Sequence, residues 1–295
     1  MRVKEHHGAA ANGIGAETTH RLGGYRAYAP PAALAHCAEA LFVHRTPHNP
    51  ATGAAAHLVL PDPAVSIGFM GFRRDNGEPI DWTPIVIGPK LRAQNFVLVP
   101  GRELAAIKIK PEWAGPLLGV DPMAIEERVD DLASIAPRLA ERLGEALSRT
   151  RSAADVVQVM TAMLHRLRAD CYTSPSTITS NALDLLRGTA GRTSCERAAS
   201  TLGVSDRHLR RHVHDATGIA PKAYSRAIRF VGAMVGADRL DRPSWADLAL
   251  SAGYCDQSHL IRDCIALAGV SPQKLHAERR QEVGGSDMSD LSNPA

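Results

Sequence analysis

Aromatic residues are scarce: 5 Phe, 5 Tyr and 3 Trp make up 4% of 295 residues. Cores must therefore be filled by Leu, Val, Ile and the abundant Ala, and Ala-rich segments favour helix. Cysteine is sparse as well. The five present, at 37, 171, 195, 255 and 264, are odd in number, scattered and never spaced CxxC. That pattern argues against a disulfide framework and a zinc site, and predicts free thiols. No run of 18 or more apolar residues occurs, so no membrane-spanning helix is expected. The opening MRVKEHHGAAANGIGAETTH has no apolar centre of the kind a secretory signal needs, and the expected location is the cytoplasm.

The net charge is a small +3, but it is unevenly spread. Between 177 and 280 there are 15 Lys and Arg against 10 Asp and Glu, so the basic surplus sits in the last third. A local surplus of this kind suits a polyanionic partner without requiring one.

Residues 1–20 are rich in Gly, Ala and His without periodicity, residues 281–295 are polar, and both are expected to be disordered tails. Between about 24 and 112 the chain is cut by Pro and Gly into short apolar runs: HLVLPDP, AVSIGFMGF, PIVIGP, FVLVPG and ELAAIKIKPE. Such runs read as strands. PAALAHCAEALFVH spaces its apolar residues at helical intervals and predicts a helix over 31–44. From Pro111, through MAIEERVDDLASIAPRLAERLGEALSRT and SAADVVQVMTAMLHRLRADCY, the spacing predicts connecting helices. The polar stretch TSPSTITS (173–180) marks a domain boundary. The expected fold class is α+β: a β-rich, half-barrel-like unit with connecting helices over 21–172, then an all-helical unit over 177–280.

The last third repeats itself. HLRRHVHDATGIAP (208–221) overlies HLIRDCIALAGVSP (259–272) without a gap: Leu209 falls on Leu260, Arg211 on Arg262, Gly218 on Gly269 and Pro221 on Pro272, always 51 positions apart. Fixed-period self-similarity marks a duplicated structural unit. Each copy reads as helix, tight turn, helix. In the first, Ser194 and Ser205 are placed to cap the two helices and Gly203 to make the turn. In the second, Ser244, Asp256 and Gly253 take those places. Leu209 with Val213, and Leu260 with Cys264, form one apolar face per second helix. The opposite face presents Arg207, Arg210 and Arg211 in the first copy. Gln257, Ser258 and Arg262 take the corresponding face in the second. Arginine forks suit guanine edges or phosphates, and glutamine suits adenine. Between the copies, PKAYSRAIRFVGAMVGADRL (221–240) is a continuous helical pattern.

On these motifs, LGVSDRHLRRHVHDATGIAPKAYSRAIR and LALSAGYCDQSHLIRDCIALAGVSP, the stretch from about 177 to 280 resembles the DNA-binding domain of AraC/XylS-family transcriptional regulators. The resemblance implies two helix-turn-helix units on a linker helix, with double-stranded DNA as partner. Its base-reading positions fall on Arg207, Arg210, Arg211, Gln257, Ser258 and Arg262. The chain departs from the family in having Val213 and Cys264 where Phe is usual. YRAYAPPAALAHCAEALF, LVLPDPAVSIGF and IKIKPEWAGPLLGVDP are similar to a sensor-like domain that often precedes this one. That likeness implies a β-rich module for a small-molecule effector or for homodimer formation, and leaves RNA polymerase as a further protein partner. No catalytic residue, metal ligand or cofactor is assigned. The rival is an enzyme in the N-terminal half, a metal-dependent barrel or a thiol transferase. Against it, His36, His44, His48 and His57 form no HxH pair, and Cys37 and Cys171 sit in no nucleophile motif. His208 and His259 belong to separate units and are expected to pack or hydrogen-bond. Val59, Ile67, Phe69 and Val97 are expected in a core.

Overall fold

The computed structural model describes residues 17–19, 25–46, 55–73, 79–148, 150 and 153–284. His48 and the segments 1–16 and 285–295 of the expected tails lie outside them.

The N-terminal part contains β1 (Glu17–Thr19), β2 (Tyr25–Tyr28), β3 (Ala38–Arg45), β4 (Ala55–Val59), β5 (Val65–Arg73), β6 (Pro79–Ile87), β7 (Gln94–Leu98), β8 (Arg102–Ile109) and β9 (Val129–Asp131). Seven of these form one sheet in the order β1-β2-β3-β8-β5-β6-β9, antiparallel throughout, while β4 and β7 pair as a separate ribbon. Alternation puts Leu41 and Val43, Val65, Ile67 and Phe69, and Ala105, Ile107 and Ile109 on one face. That face is covered by α1 (Pro111–Leu118), α2 (Leu132–Ile135), α3 (Pro137–Leu147) and α4 (Ala153–Ala169). Trp113, Leu147, Met160 and Leu164 fill the space between. With so few aromatics, the volume comes from branched aliphatics and Met, as composition requires.

Five expectations are corrected. The segment 31–44 is a 3-10 turn at Ala32–Leu34 followed by β3, not a helix. The strand carries a bulge between Ala38 and Ala40, which shifts the alternation by one residue. Buried positions therefore fall at Ala38, Leu41 and Val43, and the interval of three imitates a helix. The charged run EERVDD is not helical either. Val129–Asp131 pairs with Ile85–Ile87 at the sheet edge, where acidic side chains blunt further pairing, and Asp131 then caps α2 through the Ala133 amide at 2.8 Å. Residues 17–19, expected in a tail, pair with β2, and the last helix runs to Gly284 rather than ending at 280. Ile67 and Phe69 are fully buried, but Val97, on the β4–β7 ribbon, is 58% exposed and belongs to no core.

The C-terminal part is helical: α5 (Thr177–Gly188), α6 (Cys195–Thr201), α7 (Asp206–Thr217), α8 (Pro221–Asp238), α9 (Trp245–Ser251), α10 (Gln257–Ala268) and α11 (Pro272–Gly284). Helix α8, about 27 Å long at 1.5 Å per residue, serves two cores. Its first half buries Tyr224 with Leu183, Leu186, Leu209 and Val213. Its second half buries Phe230 and Met234 with Cys264, Leu267 and Leu275. Val213 and Cys264, smaller than the usual Phe, are both fully buried.

The two parts touch at several points. Leu91 packs on the first helical core, Leu58 and Leu60 on the second, and the Ala93 amide donates to the Leu267 carbonyl at 2.7 Å. Arg187 of α5 forks onto Glu112 of α1, with Nη1 donating to Oε2 at 3.0 Å and Nη2 to Oε1 at 2.5 Å.

Candidate nucleic-acid interface

Each second helix of the repeat starts on a side-chain cap. Ser205 accepts from the His208 amide at 3.2 Å and opens α7; Asp256 accepts from the His259 amide at 2.7 Å and opens α10. The first helices are capped alike, Ser194 accepting from the Arg197 amide at 3.2 Å and Ser244 from the Asp247 amide at 3.4 Å. Between them the turns run through Gly203 (φ 67°) and Gly253 (φ 83°), a region where a Cβ is strained. Cap, turn and cap thus recur in the same order, within one residue of the 51-position sequence repeat. Removing the cap in Ser205→Ala is expected to cost about 1 kcal/mol, read as a lower urea midpoint with an unchanged slope.

On α7, Leu209 and Val213 face inward with no exposed surface, which turns Arg207 and Arg211 to solvent. Arg207 forms no ion pair among the described residues. Arg211 Nη2 lies 3.2 Å from His208 Nδ1, and the His208 and His212 rings meet edge to face at 4.3 Å. Arg210 differs from its neighbours: its Nε donates to Asp206 Oδ2 at 2.6 Å, one turn back. On α10, Leu260 and Cys264 are buried, Ser258 and Arg262 are exposed, and Gln257 and Ile261 are half-buried. His259 packs edge-on to Tyr254 at 5.0 Å, away from His208. The structure therefore sets three candidate side chains on the outer face of each of two matching helices, Arg210 being held along its own helix.

Sequence reading missed the group that seats α10. Asp263, 7% exposed, accepts from Arg226 Nε at 2.8 Å and lies 3.9 Å from Arg229 Nη2, both on α8. The Arg229 guanidinium in turn covers the Tyr254 ring at 4.7 Å. The repeat itself held the signal, since the position matching Asp263 in the first copy is His212. Of the two copies, only the second has an acid at this position.

Among the described residues no three His, Cys, Asp or Glu side chains are grouped to hold a metal ion. Burial pushes the Cys37 and Cys195 thiols up and the Cys264 thiol up to about 12, so all three stay protonated near neutrality. Burial, with the neighbouring His57, pulls His44 down to about 4. Among the described residues no helix is long and apolar enough to cross a membrane.

Residues 198–278 match the family model described as a helix-turn-helix domain. No curated protein matches the chain. Solved structures similar to it include an AraC-type transcriptional regulator from Chromobacterium violaceum, 22% identical over 35% of this chain and 93% of that one, with a TM-score of 0.32. The DNA-binding domain of AdpA, solved with a target DNA, is 20% identical over 38% of this chain and all of that one, with a TM-score of 0.34. ToxT from Vibrio cholerae O395 is 10% identical over 83% of this chain and 97% of that one, with a TM-score of 0.42. With two capped helix-turn-helix units in series and the family match lying over them, residues 198–278 of the chain form a helix-turn-helix domain.

Proposed function

We propose that α7 and α10 enter successive major grooves on one side of a duplex, and that the unit over 21–172 controls them through a small effector or a partner. The observation that carries the first part is the recurrence of cap, turn and cap, 50 to 51 residues apart, on either side of α8. Successive major grooves are about 34 Å apart, and a linker helix of about 27 Å plus the widths of two units can bridge that distance. Arg207, Arg211, Gln257, Ser258 and Arg262 are assigned to base edges. Arg210, already held by Asp206, is assigned to a phosphate, where a guanidinium positions the protein without reading sequence.

Selection of the purified chain on randomised duplex DNA tests this directly. The expected motif has two unequal halves about 10 base pairs apart, because three arginines face one half and one faces the other. Arg211→Ala and Arg262→Ala are each expected to weaken binding to the selected site by about 1–3 kcal/mol and to relax preference in one half. Unchanged affinity and unchanged preference in both variants would remove the assignment.

A further inference from the structure

The junction of the two parts holds a cleft of about 350 Å³ that neither part forms alone. Its floor is apolar, made by Leu91 of the β6–β7 loop, Ala223 of α8 and Leu267 of α10. Its walls carry Arg92 and Arg226, and Glu126 and Glu127. Four charges of both signs would ordinarily neutralise one another across a closed interface. Here they do not: Arg226 is turned to Asp263, and Arg92, Glu126 and Glu127 form no ion pair among the described residues.

Glu127 adds an independent observation. It is one of two non-glycine residues among those described with a left-handed backbone, at φ 56°. It is pinned there from both sides, its amide donating to the Pro89 carbonyl at 2.9 Å and its carbonyl accepting from Gln94 Nε2 at 3.5 Å. Strained backbone held by its surroundings is characteristic of ligand sites, and this residue lines the cleft. A cleft of this volume, apolar below and charged at the rim, is of the size that takes small ligands, and domain junctions are where such sites concentrate.

We infer that this cleft binds a small zwitterion, an α-amino acid or dipeptide with an apolar side chain. Its ammonium meets Glu126 and Glu127, its carboxylate meets Arg92 and Arg226, and its side chain covers Leu91, Ala223 and Leu267. The consequence for regulation rests on the effector reading above. Arg226 also holds Asp263 of α10, and the adjoining Ala93 amide is bonded to Leu267 at the end of α10. A carboxylate drawing on Arg226 therefore acts on the seating of the second recognition helix.

The test is calorimetric titration and thermal shift of the full chain with L-leucine, L-phenylalanine and leucylleucine, each beside its N-acetyl and its amide derivative. One or more of the zwitterions is expected to bind at millimolar concentration or below and to raise Tm. The derivatives, each lacking one charge, are expected to bind about tenfold more weakly or worse. Arg92→Gln and Glu127→Gln, both at exposed positions, are expected to weaken the same zwitterion about tenfold while leaving ligand-free DNA binding unchanged. No binding by any zwitterion, or binding that is equal in both variants, overturns the site. Duplex selection run alongside separates the two readings. A selected duplex without zwitterion binding leaves the regulator standing and removes the cleft, whereas zwitterion binding without a selected duplex does the reverse.

Discussion

Arg187→Ala is expected to lower the unfolding free energy by about 3–5 kcal/mol. Glu112, 2% exposed, is met by both terminal nitrogens of Arg187 and, among the described residues, by no other side-chain hydrogen bond. The same guanidinium donates to Asp184 at 2.7 Å and to the Tyr224 hydroxyl at 3.3 Å, so one side chain joins α1, α5 and α8. Burial by itself would disfavour its charge, but the bonds to Glu112 and the neighbouring acids outweigh this and hold it ionised. Truncation leaves the Glu112 carboxylate buried and unpaired, which costs far more than the bond itself is worth. The check is urea unfolding of four proteins: wild type, Arg187→Ala, Glu112→Gln, and the double variant Glu112→Met with Arg187→Met. The apolar double variant is expected to recover most of the loss, since replacing both members of a buried pair avoids the stranded charge. Equal losses in the single and double variants would show that the loss comes from packing rather than from the stranded charge.

That pair also shows where sequence reading stops. Glu112 and Arg187 lie 75 positions apart, each in an ordinary amphipathic helix, and nothing local distinguishes them from solvated charges. The helix-turn-helix units were legible because their determinants are local. A capping Ser or Asp, a turn glycine and an apolar pair at i, i+4 fall within a dozen residues and then recur. Strand β3 was misread for an equally definite reason: the bulge at its start replaced alternation by an interval of three. Neighbouring strands, not local spacing, decided that segment. The outer-face residues Arg207, Arg211, Ser258 and Arg262 followed from the inner face, because burying Leu209 and Leu260 fixes what points outward. The hold of Asp206 on Arg210 is also local, at i, i+4, and is legible in the sequence once the acid one turn back is considered.

Asp263→Ala is expected to cost about 2–4 kcal/mol and to remove sequence preference in one half of the selected DNA motif while sparing the other. Asp263 is buried beneath α10, so it cannot itself touch DNA; it acts by holding α10 to α8 through Arg226 and Arg229. Without the carboxylate, two guanidiniums on α8 face each other with no acid between them, and Arg229 keeps only its stacking on Tyr254. The lower end of the range reflects Arg226, 38% exposed, which can turn to water. Unit one has no counterpart to this arrangement. His212 stands at the matching position and rests on His208, with Ser176 Oγ 3.4 Å away, while Leu209, Val213 and Thr217 are the residues that α7 buries in its core. The loss in DNA recognition should therefore be confined to the half read by Gln257, Ser258 and Arg262. Asp263→Asn, which keeps the volume and one hydrogen-bond acceptor but not the charge, is expected to fall between wild type and Asp263→Ala in both readouts. Selection and urea unfolding on the same preparations separate the alternatives. Loss of preference in both halves would mean that Asp263 supports the whole helical part, and an intact motif at unchanged stability would mean that α10 is seated by Leu260 and Cys264 without it.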